Sequence, residues 1–296
     1  FRWVHGEADG LPGIIADLYG DVLSLQVSAA GWYRHIDKVA AVFRKVRKLS
    51  AIVLRNETKH LEKEGMPKEV KLLFGEMPKE PIKIKMGSVY ELVDIEKGQK
   101  TGAYLDVRGV PDMISPLFKG ARVLDCFSYQ GHFGLHALAA GASEVVAVEQ
   151  SQQAIDIAQK NLEINGLPRK MKWKCGNAFD IMRKMDSDRE RFDLVIMDPP
   201  PFSPAKGQVE SARRGYKELA VRGFNRIKDG GHMVFLSCSH AFSREMLLSV
   251  LNDAARDACV SCRIALEIHQ PIDHPALSSV PETDYLKGFV LGVRDQ

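Results

Sequence analysis

The fold is decided by one stretch of the chain, ARVLDCFSYQGHFG at residues 121–134. An apolar strand, Ala121 to Asp125, runs directly into a glycine-containing turn and then into the start of a helix. Such a turn lets a ligand approach the backbone closely. A strand, a turn and a helix in this order are typical of the first unit of a parallel α/β sheet.

Beyond this stretch, strands and helices alternate strictly along the chain. The predicted strands are Ala121 to Asp125, Glu144 to Glu149, Lys172 to Cys175, Phe192 to Asp198 and His232 to Ser237. The predicted helices include Phe133 to Ala140 and a second helix that Ser151 caps and Gly166 ends. This alternation predicts an α/β fold with a Rossmann-like parallel sheet over residues 96–296.

Residues 1–95 have a different pattern, which predicts a smaller α+β domain. A hairpin is expected over residues 11–28 around the Gly20-Asp21 turn, followed by a helix at Ile36 to Phe43 and a short strand at Ala51 to Leu54. From Lys59 to Lys85 the chain is charged and rich in proline, which favours a hairpin arm and a linker. We expect this domain to contact the substrate.

Composition narrows the functional classes. The chain has 296 residues, of which 45% are apolar and 27% charged, with a formal net charge of +3. No apolar run reaches the ~18 residues of a membrane span, so a cytoplasmic protein without membrane contact is expected. The five cysteines do not form a disulfide framework, and the lone pair Cys259 and Cys262 lacks the further ligands of a zinc site, so no metal is expected.

Four side chains at predicted strand ends favour a nucleoside cofactor. The turn at Ser128 to Gly131 lacks the G-x-G-x-x-G pattern of a pyrophosphate loop, and the acid Asp125 beside it suits a cationic group such as a methionyl amine. Glu149 ends the second strand, where a carboxylate can accept both ribose hydroxyls. Asn177 follows the third strand and can face an adenine edge, although Asn is also a common turn residue at this position.

The most specific pattern is Asp198-Pro199-Pro200-Pro201-Phe202 after the fourth strand. Prolines fix the backbone and remove N–H donors, and the carboxyl end of a central strand is where open α/β sheets bind substrates. The fifth strand is expected beside the fourth, so Cys238 can face Asp198 across the cleft.

Taken together, these segments resemble the ribosomal RNA cytosine-5 methyltransferases that act on large-subunit RNA in bacteria. The matching segments are HGEADGLPG at 5–13, RNE at 55–57, QKTGAYLDVR at 99–108, DCFSYQGHFG at 125–134, DPPPF at 198–202, GYK at 215–217, SCS at 237–239, DHP at 273–275 and YLKGF at 285–289. The family normally begins with a small PUA-type RNA-binding domain, which would end about where Phe1 stands. Pro201 departs from the family, which often has Lys there.

The resemblance implies a class I methyltransferase that uses S-adenosylmethionine and acts on ribosomal RNA. It implies that the segment from Thr101 to Arg108 packs over the cofactor. The complete set of expected cofactor residues is Thr101, Tyr104, Asp106, Arg108, Asp125, Phe127, Ser128, Tyr129, Gly131, Glu149, Gln150, Ser151, Asn177, Ala178, Asp198, Pro199 and Pro200. It also implies Cys238 as the nucleophile, with Asp198 as the second catalytic residue.

The chemistry of a cytosine target agrees with a cysteine. C5 of cytosine is too weak a nucleophile to take a methyl group, so a thiolate must first add at C6. Three alternatives remain: the same fold methylating a guanine or an exocyclic amine, a catalytically silent RNA-binding module, and a nicotinamide oxidoreductase. Arg213, Arg214 and Lys217 are expected near RNA phosphates, and a homodimer is an assembly to be tested.

Overall fold

The structure is a computed structural model that describes residues 1–188, 190–202, 209–240 and 242–296. Side chains are described throughout these ranges except at positions 59, 60 and 186–188. Within the described residues, no helix has the length and apolar character needed to cross a membrane.

The chain forms two compact units. The first unit contains Phe1–Met86, Glu91–Arg108 and Pro271–Asp284, and the second contains Gly87–Tyr90, Gly109–Gln270 and Tyr285–Gln296. Residues 96–108 and 271–284, which the sequence pattern assigned to the larger domain, therefore belong to the first unit. The physical reason is a set of polar contacts inside that unit, described below with the site residues.

The first unit is built on a five-stranded sheet. Its strands are β1 (Arg2–His5), β2 (Ile14–Tyr19), β3 (Val22–Val27), β4 (Ala51–Asn56) and β5 (Glu69–Gly75), and its helices are α1 (Ala30–Tyr33) and α2 (Ile36–Val46). The sheet order is β1-β2-β3-β4-β5, in which β3 and β4 pair in parallel and the other neighbours are antiparallel. The predicted hairpin is confirmed as β2 and β3, which pair in register from Ile14 with Val27 to Tyr19 with Val22.

The strands β3 and β4 of the first unit are buried almost throughout, because their alternate side chains join two different cores. Ile36, Ala40 and Phe43 of α2 fall on one helix face and join a core with the apolar side chains of β2, β3 and β4. Part of the charged segment after Lys59 forms β5, an edge strand of the sheet, and a second part forms a hairpin of β6 (Ile82–Met86) and β7 (Val89–Val93). The linker expected there is thus partly sheet.

The second unit is built on a seven-stranded sheet. Its strands are β8 (Arg122–Cys126), β9 (Glu144–Glu149), β10 (Met171–Cys175), β11 (Phe192–Met197), β12 (Ile227–Ser237), β13 (Val260–His269) and β14 (Lys287–Asp295), and its helices are α3 (Val110–Met113), α4 (His132–Ala139), α5 (Gln152–Ile164), α6 (Ala178–Asp188), α7 (Val209–Phe224) and α8 (Arg244–Asp257). The order is β10-β9-β8-β11-β12-β14-β13. The first five strands are parallel, and β14 is antiparallel to both of its neighbours.

This sheet confirms the predicted Rossmann-like α/β fold. The five parallel strands are the five that the sequence predicted, and four of them contain continuous buried runs: Val123 to Cys126, Val145 to Val148, Leu194 to Met197 and Met233 to Ser237. Runs of this kind are expected in a sheet that helices cover on both faces. The antiparallel pair β13 and β14 was not predicted.

Candidate active site

The register of the parallel strands brings five loops to one edge of the second unit's sheet. Cys126 of β8 pairs with Val148 of β9 and with Met197 of β11, and Met197 pairs in turn with Phe235 of β12. The carboxyl ends of these strands are therefore nearly level. Open α/β sheets bind ligands at this edge, and it carries the expected site residues that lie in this unit.

The loop after β8 holds its backbone in an unusual conformation. Phe127 has a φ of 62° and Tyr129 a φ of 48°, and both residues are large and not glycine. Each such residue costs of the order of 1–3 kcal/mol, and this strain clusters at functional sites. The loop ends at Gly131, which has a φ of 82° and directly precedes the first residue of α4. Ser128, which stands where a Rossmann loop would have its first glycine, is buried and donates its N–H to the Val148 carbonyl at 3.1 Å.

Asp125 lies beneath this loop rather than on its surface. Its side chain has no solvent exposure, and its Oδ2 accepts the Gly134 N–H at 3.1 Å, while Oδ1 has no hydrogen-bond partner among the described residues. Burial raises the pKa of Asp125 to about 7, assisted by the negative charges of Asp198 and Glu149 and opposed by the Gly134 N–H. The carboxyl group is thus partly protonated near neutral pH, and it ties the strand to the start of α4.

Glu149 joins two of the loops at the edge. Its Oε2 accepts the Tyr129 N–H at 2.8 Å, and its Oε1 accepts the Ser151 N–H at 2.9 Å. A carboxylate has about four acceptor positions, so these two bonds leave capacity for ligand hydroxyls. Ser151 then caps α5, because its Oγ accepts the Ala154 N–H. Gln150, between them, accepts the weak Cys175 S–H with its carbonyl.

Asn177 uses part of its side chain locally. Its Oδ1 accepts the N–H groups of Phe179 at 2.9 Å and Asp180 at 3.4 Å, which is the geometry of a helix cap at the start of α6. This cap uses the amide oxygen of Asn177 and not its NH₂ group. Asn177 is exposed and Ala178 is buried.

Asp198 and its prolines follow β11 at the same edge. Asp198 is half-buried, Pro199 is buried and Pro200 is exposed. The aromatic ring of Phe202 packs edge-on against the ring of Tyr216, with 4.7 Å between the ring centroids. The segment is thereby held at both of its ends.

Cys238 follows β12, which lies beside β11 as predicted. It is half-buried, whereas Cys126 is fully buried and has a pKa raised by that burial. Cys262, also half-buried, has its pKa raised to about 11 by burial. Cys126 ends β8 and Cys238 directly follows β12, the two strands that flank β11; of these two cysteines, Cys238 is half-buried and Cys126 is fully buried.

Tyr216 connects the segments that carry Asp198 and Cys238. It is fully buried, and its hydroxyl lies 3.0 Å from Ser237 Oγ. Burial raises the pKa of Tyr216, and negative charge on Cys238 and Asp198 raises it further, whereas the hydrogen bond with Ser237 lowers it. Sequence reasoning did not include Tyr216 in the site. Its only signal was the GYK segment at 215–217.

Lys287 is a second residue that sequence reasoning missed. It is 7% exposed, and its Nζ donates to the carbonyl oxygens of Ser239 at 3.0 Å and Phe242 at 2.7 Å. It pairs in register with Ser237 across β14 and β12. A buried ammonium therefore holds the backbone that directly follows Cys238. The YLKGF segment at 285–289 contained this residue without indicating its role.

The remaining expected cofactor residues, Thr101, Tyr104, Asp106 and Arg108, belong to the first unit. Thr101 is fully buried and donates its hydroxyl to Asp17 at 2.5 Å. Lys100 binds Asp106 at 2.7 Å, and its ammonium also lies over the Tyr104 ring at 4.4 Å.

Asp273 fixes the end of this segment. Arg108 donates to Asp273, which also accepts the Arg2 N–H at 2.9 Å and lies 3.0 Å from the His274 ring. Burial acts to raise the pKa of Asp273, but the hydrogen bonds from His274, Arg108 and Arg2 outweigh it and lower the pKa below its usual range. These contacts explain why residues 96–108 and 271–284 pack together.

The basic residues expected near phosphates are partly engaged elsewhere. Arg213 donates to Asp253 at 2.6 Å, and Lys217 lies 2.8 Å from Asp257, so both side chains face acids of α8. Arg214 is exposed, and no ion pair involves it among the described residues.

Solved structures share this fold. A structure from Streptococcus mutans, described as a SAM-dependent methyltransferase, superposes with a TM-score of 0.86 at 20% identity, covering 99% of this chain and 74% of that chain. A methyltransferase complexed with SAH superposes with a TM-score of 0.84 at 20% identity, again over 99% of this chain and 74% of that chain. The tRNA m1G37 methyltransferase of M. jannaschii gives 0.66 at 16% identity, over 95% of this chain and 75% of that chain. At these identities the likeness concerns the fold.

Relatives in sequence identify the family. A family model described as conserved hypothetical protein 95 matches residues 107–213. The ribosomal RNA large subunit methyltransferase I of Alteromonas mediterranea is 36% identical over 296 residues, which is 100% of this chain and 74% of that protein. The protein of the same name from Aeromonas salmonicida is 37% identical over 99% of this chain and 74% of its own length. The chain therefore belongs to the ribosomal RNA large subunit methyltransferase I family, which confirms the predicted methyltransferase and its cofactor, S-adenosylmethionine.

Proposed function

We propose that this protein methylates C5 of a cytosine in large-subunit ribosomal RNA, with Cys238 as the nucleophile and Asp198 as the group that holds the base. The relatives are named as methyltransferases of large-subunit ribosomal RNA. The observation that carries the cytosine-5 assignment is the parallel pairing of β11 and β12, because Asp198 directly follows β11 and Cys238 directly follows β12.

The edge of the second unit fits S-adenosylmethionine. The proposed cofactor site consists of buried Asp125, the positive-φ loop at Phe127 to Gly131 and the carboxylate of Glu149. These residues supply both hydrogen-bond acceptors and backbone groups. We assign the methionyl end to Asp125 and this loop, the ribose to Glu149 and the adenine to Asn177. The contacts expected from Tyr104, Asp106 and Arg108 of the first unit remain predictions. When bound, S-adenosylmethionine supplies the methyl group.

The chain's own residues act on the base. The Cys238 thiolate adds to C6, so that an S–C6 bond forms and the electron pair of the C5–C6 bond moves toward C5 and N3. Asp198 holds a proton at N3 as negative charge develops there. Once C5 carries the methyl group, a base removes the C5 proton, the C5–C6 double bond forms again and the S–C6 bond breaks. Cys238 leaves as a thiolate, and N3 returns its proton to Asp198.

Two neighbouring groups support this role for Cys238. Lys287 places a positive charge on the backbone just after the cysteine, and Ser237 contacts the Tyr216 hydroxyl on its other side. A thiol in polar and electropositive surroundings ionises more readily than one in apolar packing, and the thiolate is the reactive form.

The test compares cysteine variants at two strand ends of one sheet edge. We expect Cys238→Ala to lose nearly all methyl transfer to large-subunit RNA while its calorimetric affinity for S-adenosylmethionine stays unchanged. The control is Cys175→Ala, because Cys175 is exposed at the end of β10 and lies outside the proposed chemistry. That variant is expected to keep most of its activity.

Nucleoside analysis of the product and an RNA trap complete the test. The methyl group is expected on C5 of cytosine, and RNA with 5-fluorocytosine at the target is expected to remain covalently bound to the wild-type protein but not to Cys238→Ala. Near wild-type activity of Cys238→Ala, or a methyl group on a guanine or an exocyclic nitrogen, would replace this proposal with the guanine or amine alternative.

A further inference from the structure

The first unit contains a groove that is lined by none of the expected cofactor or catalytic residues. Its volume is about 440 Å³, within the range of small-ligand sites. Its wall combines apolar and uncharged polar side chains: Ile15, Val27 and Leu61, with Gln26, Ser28 and Thr58. The groove lies beyond the ends of β3 and β4, where the chain leaves the sheet.

Asn56 lines this groove and has a buried donor without a partner. The residue is 2% exposed, and its Oδ1 accepts the Val27 N–H at 2.9 Å. This bond fixes the orientation of the amide, because only the oxygen can face a backbone N–H. The Nδ2 group has no hydrogen-bond partner among the described residues. A buried donor left without a partner costs about 1–3 kcal/mol, so a ligand acceptor would recover this energy.

The charges at the groove favour a neutral ligand. Arg55 donates to Glu57 at 2.7 Å and to the Gly98 carbonyl at 2.7 Å, so its positive charge is already neutralised. At the mouth, Lys63 and Glu64 carry opposite charges. A phosphate would find no net positive charge here, whereas a flat heterocycle can pack against the apolar wall and accept from Asn56.

We infer that this groove binds an unpaired base of the RNA substrate, with Asn56 Nδ2 donating to a carbonyl oxygen or ring nitrogen of that base. The inference rests on the proposed function, because it takes RNA as the substrate. Every RNA base carries such acceptors, and unpaired bases are commonly recognised by hydrogen bonds and packing in protein pockets. This base is distinct from the cytosine proposed to react with Cys238, because neither Cys238 nor Asp198 lines the groove.

The experiment measures the binding of two fluorescently labelled RNAs to the full chain. One is an unstructured ten-nucleotide uridine RNA, and the other is the same ribose-phosphate chain without bases. Wild-type protein is expected to bind the RNA with bases about tenfold more tightly. Asn56→Asp keeps the acceptor for the Val27 N–H but removes the donor. It is expected to lose about tenfold in affinity for the RNA with bases. Its affinity for the abasic chain is expected to equal that of a control variant with the same added negative charge.

Two further variants make the result independent of folding and charge. Ser28→Trp leaves Asn56 unchanged but adds a bulky ring at an exposed position of the groove wall, and it is expected to lose the same tenfold. Thr58→Asp is the charge control: it adds the same negative charge at the groove, and it is expected to weaken both RNAs equally. Two results would overturn the inference. One is that Asn56→Asp binds the RNA with bases as tightly as Thr58→Asp does, and the other is that Ser28→Trp binds this RNA as tightly as wild-type protein does.

Methyl transfer to ribosomal RNA, measured on the same preparations, separates the two proposals. If wild-type protein transfers methyl groups to ribosomal RNA but binds the two short RNAs equally well, only the inference about the groove is overturned. If binding distinguishes the two short RNAs through Asn56 but wild-type protein transfers no methyl group to RNA, the proposed function is overturned. The inference about the groove is then retained.

Discussion

At the scale of single residues, Asp125 is the most unusual group in the second unit. Its pKa is raised from 3.8 to about 7, chiefly by burial. Between these two values the native state binds a proton that the unfolded state has lost. The free energy of unfolding must therefore fall as the pH rises through this window, and it levels off above about pH 7.

The prediction concerns the pH dependence of stability. We expect urea unfolding of the wild-type protein to lose ~2–3 kcal/mol between about pH 5 and pH 8 relative to Asp125→Asn. Asn keeps an oxygen for the Gly134 N–H but cannot ionise. The difference between the two proteins isolates this residue from the other titrating groups, and parallel pH profiles would contradict the raised pKa.

Glu149 gives the second residue-scale prediction. Glu149→Gln keeps one oxygen for the backbone but removes the charge proposed to bind ribose, so we expect calorimetry to show a 10- to 100-fold loss of affinity for S-adenosylmethionine. Glu144→Gln is the matched control at the other end of β9, where Glu144 binds Arg122 and Lys172. Equal affinities of Glu149→Gln and wild-type protein would remove Glu149 from the ribose site.

How far single residues could be predicted depended on whether their partners were local. The Ser151 cap was predictable because its partner lies three residues along the chain. The complete burial of Asp125 was not, since it depends on the packing of the whole loop and of α4. Asn56 illustrates the same limit, because its bond to Val27 joins two strands of one sheet.

At the scale of elements, the antiparallel pair β12 and β14 positions the proposed nucleophile. Lys287 reaches from β14 to two carbonyl groups of the segment after Cys238. Removing the ammonium leaves those carbonyls without their donor, which costs about 1–3 kcal/mol each where they are buried. The segment would then hold Cys238 less well.

We therefore expect Lys287→Met to form the 5-fluorocytosine adduct at least about tenfold more slowly, with unchanged affinity for S-adenosylmethionine. Lys287→Arg retains a donor and is expected to recover part of the rate. Lys228→Met is the matched control, since Lys228 lies near the other end of β12 in an exposed ion pair with Asp193. An adduct rate in Lys287→Met equal to that of Lys228→Met would contradict a positioning role.

Helices and strands were predictable from the sequence where their apolar residues form a clear pattern. The five parallel strands were recognised because most of their residues are apolar and turn residues bound them. The strand β13 was missed because its pattern, VSCRIALEIH, mixes exposed polar and apolar side chains at a sheet edge. The assignment of residues 96–108 to the first unit was also missed, because it depends on Thr101 with Asp17 and Arg108 with Asp273, pairs that are distant in sequence.

At the scale of the whole molecule, charge is distributed without a large excess. The net charge is +3, and several basic side chains are paired with acids, such as Lys172 with Glu144 and Lys174 with Glu190. Binding to RNA then depends on the few cations that remain available to phosphates. Each phosphate that the protein contacts adds to the salt dependence of the affinity.

Adjacent arginines on α7 provide a direct test of this view. Arg214 is exposed, whereas Arg213 is held by Asp253 and Ser249. We expect Arg214→Ala to lower the slope of log affinity against log salt by about 1 for an RNA fragment that contains the target, because one phosphate contact is lost. Arg213→Ala should leave the slope unchanged, since Asp253 already neutralises its charge. Equal slopes for Arg214→Ala and wild-type protein would show that α7 does not contact the RNA backbone, whereas a reduced slope in Arg213→Ala would show that its ion pair opens when RNA binds.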